Sequence, residues 1–201
     1  MVMRAADLSE RVVLVDEDDR ELGFAEKLSV HVDGRLHRAF SVFVFDRRGH
    51  LLLQRRAGTK YHSGGLWTNT CCGHPRPHEP VLEAAHRRLR EEMGFDCALQ
   101  TMFRFTYRSQ LANRLYEHEL DHVLVGRFDG VPRPHPTEAE DWCWVDVRVV
   151  AQDAKVHPER YTTWFPLALE RLSEHGLLRA PQQPVSRSES LVHGAGRPVS
   201  C

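Results

Sequence analysis

The sequence has no long apolar run and almost no net charge. No stretch approaches the roughly 20 consecutive apolar residues that a membrane-spanning helix needs, and residues 1–7 lack the apolar core of a signal peptide. The formal net charge at pH 7 is −1, so no overall field favours nucleic acid or an anionic membrane surface as a partner. The composition therefore predicts a protein with neither a nucleic-acid nor a membrane partner.

Cysteine is also scarce, with 5 residues in a chain of 201. The number is odd, and Cys71 and Cys72 are adjacent, which makes a bond between those two unfavourable. We therefore expect free thiols and a cytoplasmic location, because disulfides are rare in that reducing compartment.

One domain is enough to account for most of the chain. A length of 201 residues allows one sizeable core, and nothing in the composition requires a second. Beyond residue 180 the composition changes to Pro, Gln, Ser, Gly and Arg, which is typical of disorder. The sequence predicts a single domain at 1–179 and a disordered tail at 180–201, and it leaves open whether the protein is a monomer or a homodimer.

Apolar runs and alternating patterns predict strands, and an apolar period of three to four residues predicts helices. Two apolar runs, at 40–45 and 51–56, flank a polar, glycine-containing segment and predict a hairpin of buried strands. The other predicted strands lie at 12–15, 103–107, 115–128 and 142–145, and the predicted helices lie at 79–93 and 163–178. Strands mixed with two or three helices predict one α/β domain with a mixed sheet covered on both faces.

The helix predicted at 79–93 has a clear apolar side and a clear end. Its apolar stripe consists of Leu82, Ala85, Leu89 and Met93. Gly94 follows at the position where a C-terminal glycine cap is expected.

Six residues around this helix have the spacing of the Nudix box, in which a glycine, a glutamate and an Arg-Glu-x-x-Glu-Glu-x-Gly segment follow one another at fixed intervals. They are Gly73, Glu79, Arg87, Glu91, Glu92 and Gly94. The chain thus resembles the Nudix superfamily, whose helix presents carboxylates to a magnesium ion bound to a diphosphate.

One position departs from the box, because Arg88 stands where the first of the paired glutamates belongs. Residues 88 and 92 are four apart, so they lie on the same face of the helix. A guanidinium at this position weakens a hydrolytic metal cluster but strengthens direct binding of phosphate.

Histidines and glutamates from separate segments could form one mixed nitrogen and oxygen metal site. Glu117 and Glu119 are two apart in a predicted strand, so their side chains project from the same face. Three histidines, His31, His37 and His74, could complete the set. Such ligands suit Mn²⁺, Mg²⁺ or Zn²⁺.

Four segments together resemble the type 1 isopentenyl-diphosphate isomerases, a catalytic branch of the Nudix superfamily. They are the histidines at 31 and 37, the run RRA at 55–57 with Lys60, the run LWTNTCCGHP at 66–75, and EHE at 117–119. The resemblance covers roughly residues 10–175. It implies a Nudix-type mixed sheet between α-helices, and an isomerase that interconverts isopentenyl and dimethylallyl diphosphate for isoprenoid biosynthesis.

The resemblance also implies a role for each matching residue. The catalytic residues would be Cys72 and Glu119 as the acid/base pair, Tyr107 as a hydrogen-bond donor near Glu119, and Trp164 as the aromatic group that stabilises a cation. The first metal would be bound by His31, His37, His74, Glu117 and Glu119. Glu92 would hold a Mg²⁺ ion that arrives with the diphosphate. The cations that bind the diphosphate would be Lys27, Arg56, Lys60 and Arg88.

Two other functions fit parts of the pattern. A conventional Nudix hydrolase would cleave a nucleoside diphosphate derivative, but Arg88 and the three histidines argue against it. A Nudix domain without catalytic activity would bind a prenyl diphosphate or a nucleotide as a sensor. Its signature would be the loss of Cys72 or Glu119, and both are present. The sequence favours the isomerase.

Overall fold

The computed structural model describes residues 10–60, 62–111 and 114–178. These residues form a nine-stranded sheet and four α-helices. The strands are β1 (Arg11–Val15), β2 (Glu21–Glu26), β3 (His37–Phe45), β4 (His50–Arg56), β5 (Trp67–Thr68), β6 (Cys71–Gly73), β7 (Leu99–Gln110), β8 (Tyr116–Arg127) and β9 (Ala139–Asp146). The helices are α1 (Lys27–Asp33), α2 (Val81–Met93), α3 (Val147–Val156) and α4 (Trp164–Glu174). The tail predicted at 180–201 lies outside the described residues.

Strand β3 is the centre of the sheet and pairs along both of its edges. One edge pairs with β8 in parallel along the whole strand, from His37 opposite Glu119 to Phe45 opposite Arg127. The other edge meets β1, β6 and β4 in succession, all antiparallel. The sheet is therefore mixed, as the sequence predicted.

Helices cover both faces of this sheet, because alternate side chains of β3 point to opposite sides. Phe40, Val42 and Val44 are buried against α2, in a cluster with Leu89 and Met93. On the other face, Phe43 and Phe45 pack in a cluster with residues of α3 and α4. The predicted sheet between α-helices is confirmed. None of the helices in the described part of the chain has the length and apolar character needed to cross a bilayer.

The two strands predicted at 40–45 and 51–56 are present and are joined by a turn, as predicted. Their predicted pairing as a hairpin is wrong. Strands β3 and β4 pair only at Phe45 and Leu51, and β4 pairs with β5 and β9 instead. The side chain of Thr70 fills the gap between β3 and β4. Its Oγ1 accepts a hydrogen bond from Val44 N at 2.9 Å and donates one to Leu52 O at 2.7 Å. Backbone groups that would pair in a closed hairpin are satisfied in this way.

Other predictions about single elements need correction. Leu82 is 42% exposed and does not belong to the buried side of α2, which carries Ala84 in its place. Helices α1 and α3 and the short strands β2, β5 and β6 were not predicted. Helix α1 has only 7 residues and no side-chain cap, so its sequence signal is weak. The closing helix begins at Trp164 and has Pro166 in its first turn, where proline is tolerated.

Gly94 ends α2 at a close backbone approach, and this gives a stability prediction. Its φ is +70°, and an added Cβ would lie 2.3 Å from the carbonyl oxygen of Arg133. Gly94→Ala should lower the free energy of unfolding by about 2–4 kcal/mol, because both the left-handed backbone and the clash are unfavourable.

Gly176 provides the matched control. It has a φ of +71° with no atom within 4 Å of an added Cβ, so Gly176→Ala should cost only about 1 kcal/mol. Urea denaturation of both variants measures the difference. Equal losses would contradict the close approach of residues 94 and 133.

Candidate active site

A cavity of about 580 Å³ opens at the end of the sheet where β3, β6 and β8 meet. Its walls carry two kinds of side chain. One wall has buried histidines, carboxylates and a thiol, and the other has cations paired with carboxylates. The predicted site residues that line it are Lys27, Arg56, Lys60, Cys72, His74, Arg88, Glu92, Tyr107, Glu117, Glu119 and Trp164.

The strand register explains why the reactive groups share one face. Residues directly opposite each other in a sheet point to the same side, as do residues two apart in one strand. Glu119 is opposite His37 on one edge of β3, and Cys72 is opposite Ser41 on the other edge. His37 and Ser41 are four apart in β3, so all four side chains are on the same face. Tyr107 joins them because it is opposite Glu119 in β7.

Five of the predicted metal ligands lie together. One ligand atom from each of His31, His37, His74, Glu117 and Glu119 falls within 4.8 Å of the others, and all five residues are buried. His31 Nε2 is 3.1 Å from Glu117 Oε2, and His74 Nε2 is 2.8 Å from Glu119 Oε1. His37 Nε2 is 3.5 Å from the same Glu119 oxygen.

The hydrogen bonds of two imidazoles show that this cluster fits a metal ion. His31 Nδ1 is 2.7 Å from the carbonyl oxygen of Lys27, and His37 Nδ1 is 2.9 Å from that of Arg35. A carbonyl can only accept, so each Nδ1 carries a proton, and Nε2 of each ring is the atom that faces the cluster and whose lone pair a metal ion would take. His37 Nε2 is buried without a hydrogen-bond partner. A cation among the carboxylates would satisfy it.

The pKa values of the two glutamates of the cluster are shifted in opposite directions. Burial and the neighbouring Glu119 raise the pKa of Glu117. Burial acts to raise the pKa of Glu119 too, but interactions with His37 and His74 outweigh it and hold that pKa well below its usual range. Tyr107 donates a 2.5 Å hydrogen bond to Glu119 Oε2, and burial raises the pKa of Tyr107 well above its usual value. Glu119 is therefore ionised at neutral pH, and Tyr107 is a neutral donor to it.

The adjacent cysteines point to opposite faces of the sheet. Cys71 is fully buried in the cluster that packs against α2. Cys72 lines the cavity and packs against the core on the other face. Burial raises the pKa of the Cys72 thiol to about 12, so this thiol is protonated at neutral pH. Cys71, Cys72 and Cys97 are free thiols, as the sequence predicted. Cys143 is disulfide-bonded, so the prediction of free thiols is wrong for that residue.

The Nudix-box helix α2 contributes Arg88 and Glu92 to the cavity. Arg88 Nη2 lies 2.6 Å from Glu92 Oε1, and Gln54 Nε2 donates to Glu92 Oε2 at 2.8 Å. Gly73 of β6 lies beside this arginine, since an added Cβ would be 3.3 Å from Phe40 Cζ and 3.4 Å from Arg88 Cγ. Glu79 of the box pairs with the neighbouring arginine of α2. It accepts two hydrogen bonds, of 2.6 and 2.8 Å, from Arg87.

The four predicted diphosphate cations line one side of the cavity, and three of them have carboxylate partners. Lys27 Nζ is 2.9 Å from Glu10 Oε2. Lys60 and Arg88 both bind Glu138. Arg56 is different: its guanidinium carbon lies 5.4 Å from the centre of the Trp164 ring, and its Nε is buried without a hydrogen-bond partner.

Several residues of the site were not found from the sequence. His62 Nε2 lies 3.5 Å from Glu117 Oε1, and burial lowers the pKa of His62 well below its usual value. Ser41 donates a 2.8 Å hydrogen bond to the buried carboxyl of Asp121. His62 lies in a loop with no periodic pattern. Asp121, however, continues the spacing of Glu117 and Glu119, and that alternation was an available signal.

Sequence comparisons show which family the chain belongs to. The chain matches the NUDIX domain family over residues 35–165. It is 53% identical over 165 residues to isopentenyl-diphosphate Delta-isomerase 2 of Aromatoleum aromaticum, covering 82% of this chain and 87% of that protein. It is 49% identical over 172 residues to the isopentenyl-diphosphate Delta-isomerase of Serratia proteamaculans, covering 86% of this chain and 96% of that protein.

Solved structures agree on the fold. DR0079 from Deinococcus radiodurans matches with a TM-score of 0.67 and 20% identity, over 81% of this chain and 98% of its own. A MutT protein from Methanosarcina mazei matches with a TM-score of 0.57 and 17% identity, over 70% of this chain and 95% of its own. At these identities the likeness concerns the fold alone. With a NUDIX match over 35–165 and relatives about half identical across most of its length, the chain belongs to the isopentenyl-diphosphate Delta-isomerase family of the Nudix superfamily.

Proposed function

We propose that this protein interconverts isopentenyl and dimethylallyl diphosphate, the isomerisation that supplies isoprenoid biosynthesis, with Cys72 and Glu119 as the acid/base pair. The observation that carries the proposal is the shared sheet face. It brings a protonated thiol and an ionised carboxylate to one cavity from the two strands that flank β3. The reaction moves a double bond, so one carbon must gain a proton and another must lose one.

The protonation states of the pair suit this exchange. An alkene is a weak base, and its protonation creates a tertiary carbocation-like state, so a donor and an acceptor must both be in place. Cys72 holds a proton because burial raises its pKa to about 12. Glu119 is ionised and accepts a hydrogen bond from Tyr107. Because the reaction is reversible, each group is the acid in one direction and the base in the other.

A divalent ion held by His31, His37, His74, Glu117 and Glu119 would fix the position of Glu119 and adjust its acidity. We propose Mn²⁺ for this site, with Mg²⁺ and Zn²⁺ as the other candidates that its nitrogen and oxygen ligands admit. The backbone carbonyls of Lys27 and Arg35 support a metal ion at this site, because they orient the Nε2 atoms of two imidazoles toward the cluster.

The cationic side of the cavity suits the diphosphate. Lys27, Arg56, Lys60 and Arg88 would bind its oxygens, and a Mg²⁺ ion carried with the substrate would be held by Glu92. Trp164 would face the developing positive charge of the alkene with its ring, an arrangement that stabilises cations. The contact of Trp164 with Arg56 supports its place at the boundary between the two halves of the cavity.

The remaining proposals concern the setting of the protein. We propose a cytoplasmic location, a small-molecule substrate with no nucleic-acid or membrane partner, and a monomer or homodimer. We also propose that the domain extends over 1–179.

The activity itself is tested by incubating the purified protein and Mg²⁺ with isopentenyl diphosphate. The expected result is the acid-labile dimethylallyl product, with no release of phosphate or pyrophosphate. The same assay with a panel of nucleotides tests the hydrolase alternative. Phosphate release from a nucleotide without isomerisation would contradict the proposal.

Because the two cysteines point to opposite faces of the sheet, replacing each with alanine should change the activity to a very different extent. Cys72→Ala should reduce kcat by about 10²–10⁴-fold, the typical contribution of a positioned proton-transfer group, while metal content stays unchanged. Cys71→Ala is the matched control, and its activity should remain within several-fold of wild type because its side chain faces α2. An inactive Cys71→Ala with an active Cys72→Ala would reverse the assignment.

Glu119 should both transfer a proton and bind the metal ion. A second pair of variants distinguishes these two roles. Glu119→Gln should abolish isomerisation and lower the bound metal, because it removes a charge from the ligand cluster. Tyr107→Phe removes only the 2.5 Å hydrogen bond to Glu119, so it should reduce kcat and keep the metal. Metal analysis by plasma mass spectrometry gives the readout. Full metal content in Glu119→Gln would count against its role as a ligand.

A further inference from the structure

Glu138 lies between two of the cations that line the cavity. It immediately precedes β9, and its backbone N–H donates a 2.8 Å hydrogen bond to His135 O. Its side chain forms an ion pair with Lys60, and its Oε2 lies 2.8 Å from Arg88 Nη2. The side chains of Lys60 and Glu138 are each only 13% exposed, so solvent screens this contact less than a surface ion pair.

The position of Glu138 is explained by the charges around it. Lys60 and Arg88 would repel each other in a half-buried cavity, and the carboxylate between them offsets that repulsion. Burial acts to raise the pKa of Glu138, but Lys60 and Arg88 outweigh it and lower that pKa to about 2. Glu138 is therefore an anion throughout the physiological pH range, placed among residues that are expected to bind another anion.

We propose that the Glu138 carboxylate occupies part of the diphosphate site in the substrate-free protein and leaves Lys60 and Arg88 when substrate binds, so that Glu138 sets the affinity for diphosphate esters. This inference rests on the proposed function, in which Lys60 and Arg88 bind the diphosphate. Cations in a confined site cannot hold two anions at full strength, so the carboxylate and the diphosphate compete.

Arg56 differs from Lys60 and Arg88, because those two cations pair with a carboxylate, whereas within the described residues no carboxylate lies at ion-pair distance from Arg56. Its Nη2 donates a 3.4 Å hydrogen bond to the carbonyl oxygen of His62, and its Nε is buried without a hydrogen-bond partner. Arg56 is thus available to the first oxygens of an entering diphosphate, whereas Lys60 and Arg88 become available only as Glu138 withdraws.

The test measures binding of inorganic pyrophosphate to the full chain in the presence of Mg²⁺ by isothermal titration calorimetry. Glu138→Gln keeps the size of the side chain and removes its charge. It should bind pyrophosphate roughly tenfold more tightly than wild type, the change expected when one ion pair no longer competes. Pyrophosphate should also raise the Tm of Glu138→Gln more than that of wild type.

Three further variants separate the possible explanations. Glu140→Gln makes the same charge change two residues along, where Glu140 pairs with Arg55 outside the cavity, and should leave the affinity unchanged. Arg56→Gln should weaken binding and so report on the diphosphate site itself. Glu138→Asp, whose shorter side chain reaches the two cations less well, should bind more tightly than wild type and replaces Glu138→Gln if that variant does not fold.

The outcomes distinguish failure of this inference from failure of the proposed function. Pyrophosphate binding that is unchanged or weaker in Glu138→Gln, together with weaker binding in Arg56→Gln, would contradict competition by Glu138. It would leave the proposed diphosphate site unchanged. A Mg²⁺ ligand role for Glu138 predicts that weaker binding. No effect of Arg56→Gln, or no binding to wild type, would overturn both.

Discussion

The pairing of β3 with β8 on one edge and β6 on the other is the constraint on which the site depends. Because the side chains of a strand alternate, this register decides which groups can meet. A shift of β6 by one residue would bring Cys71 to the cavity and turn Cys72 toward α2. The same shift in β8 would turn Glu117 and Glu119 away from the histidines. Thr70 secures part of this arrangement, since its side chain ties β3 to β4 beside β6.

A second constraint is charge. The cavity gathers several cations and carboxylates in a space that the sheet and α2 partly enclose, and the structure balances them by pairing. Arg88 is central to that balance, because it binds Glu92 and Glu138 from the position where the Nudix box has a glutamate. A carboxylate there would add a metal ligand for hydrolysis. The guanidinium instead pairs with three carboxylates, those of Glu91, Glu92 and Glu138, and gives the cavity a group suited to a diphosphate.

Much of this site could be predicted from local sequence, and the rest depends on distant contacts. The two-residue spacing of Glu117 and Glu119 indicated a common face, and the box spacing fixed the helix that carries Glu92. His31 was matched to the family although α1 was missed, since a helix of 7 residues leaves little pattern. Glu138 carried no local signal, because its partners Lys60 and Arg88 are 78 and 50 residues away. The open hairpin was missed because a side chain, that of Thr70, replaces the backbone pairing.

We propose that a thiol and a carboxylate on one sheet face move protons to and from carbon. Proton NMR of the reaction in deuterated water tests it most directly. Both groups exchange with solvent between turnovers, so deuterium should appear in a methyl group of dimethylallyl diphosphate and, as the reverse reaction proceeds, at the second carbon of the substrate. Product that forms without solvent deuterium would contradict proton transfer by these side chains.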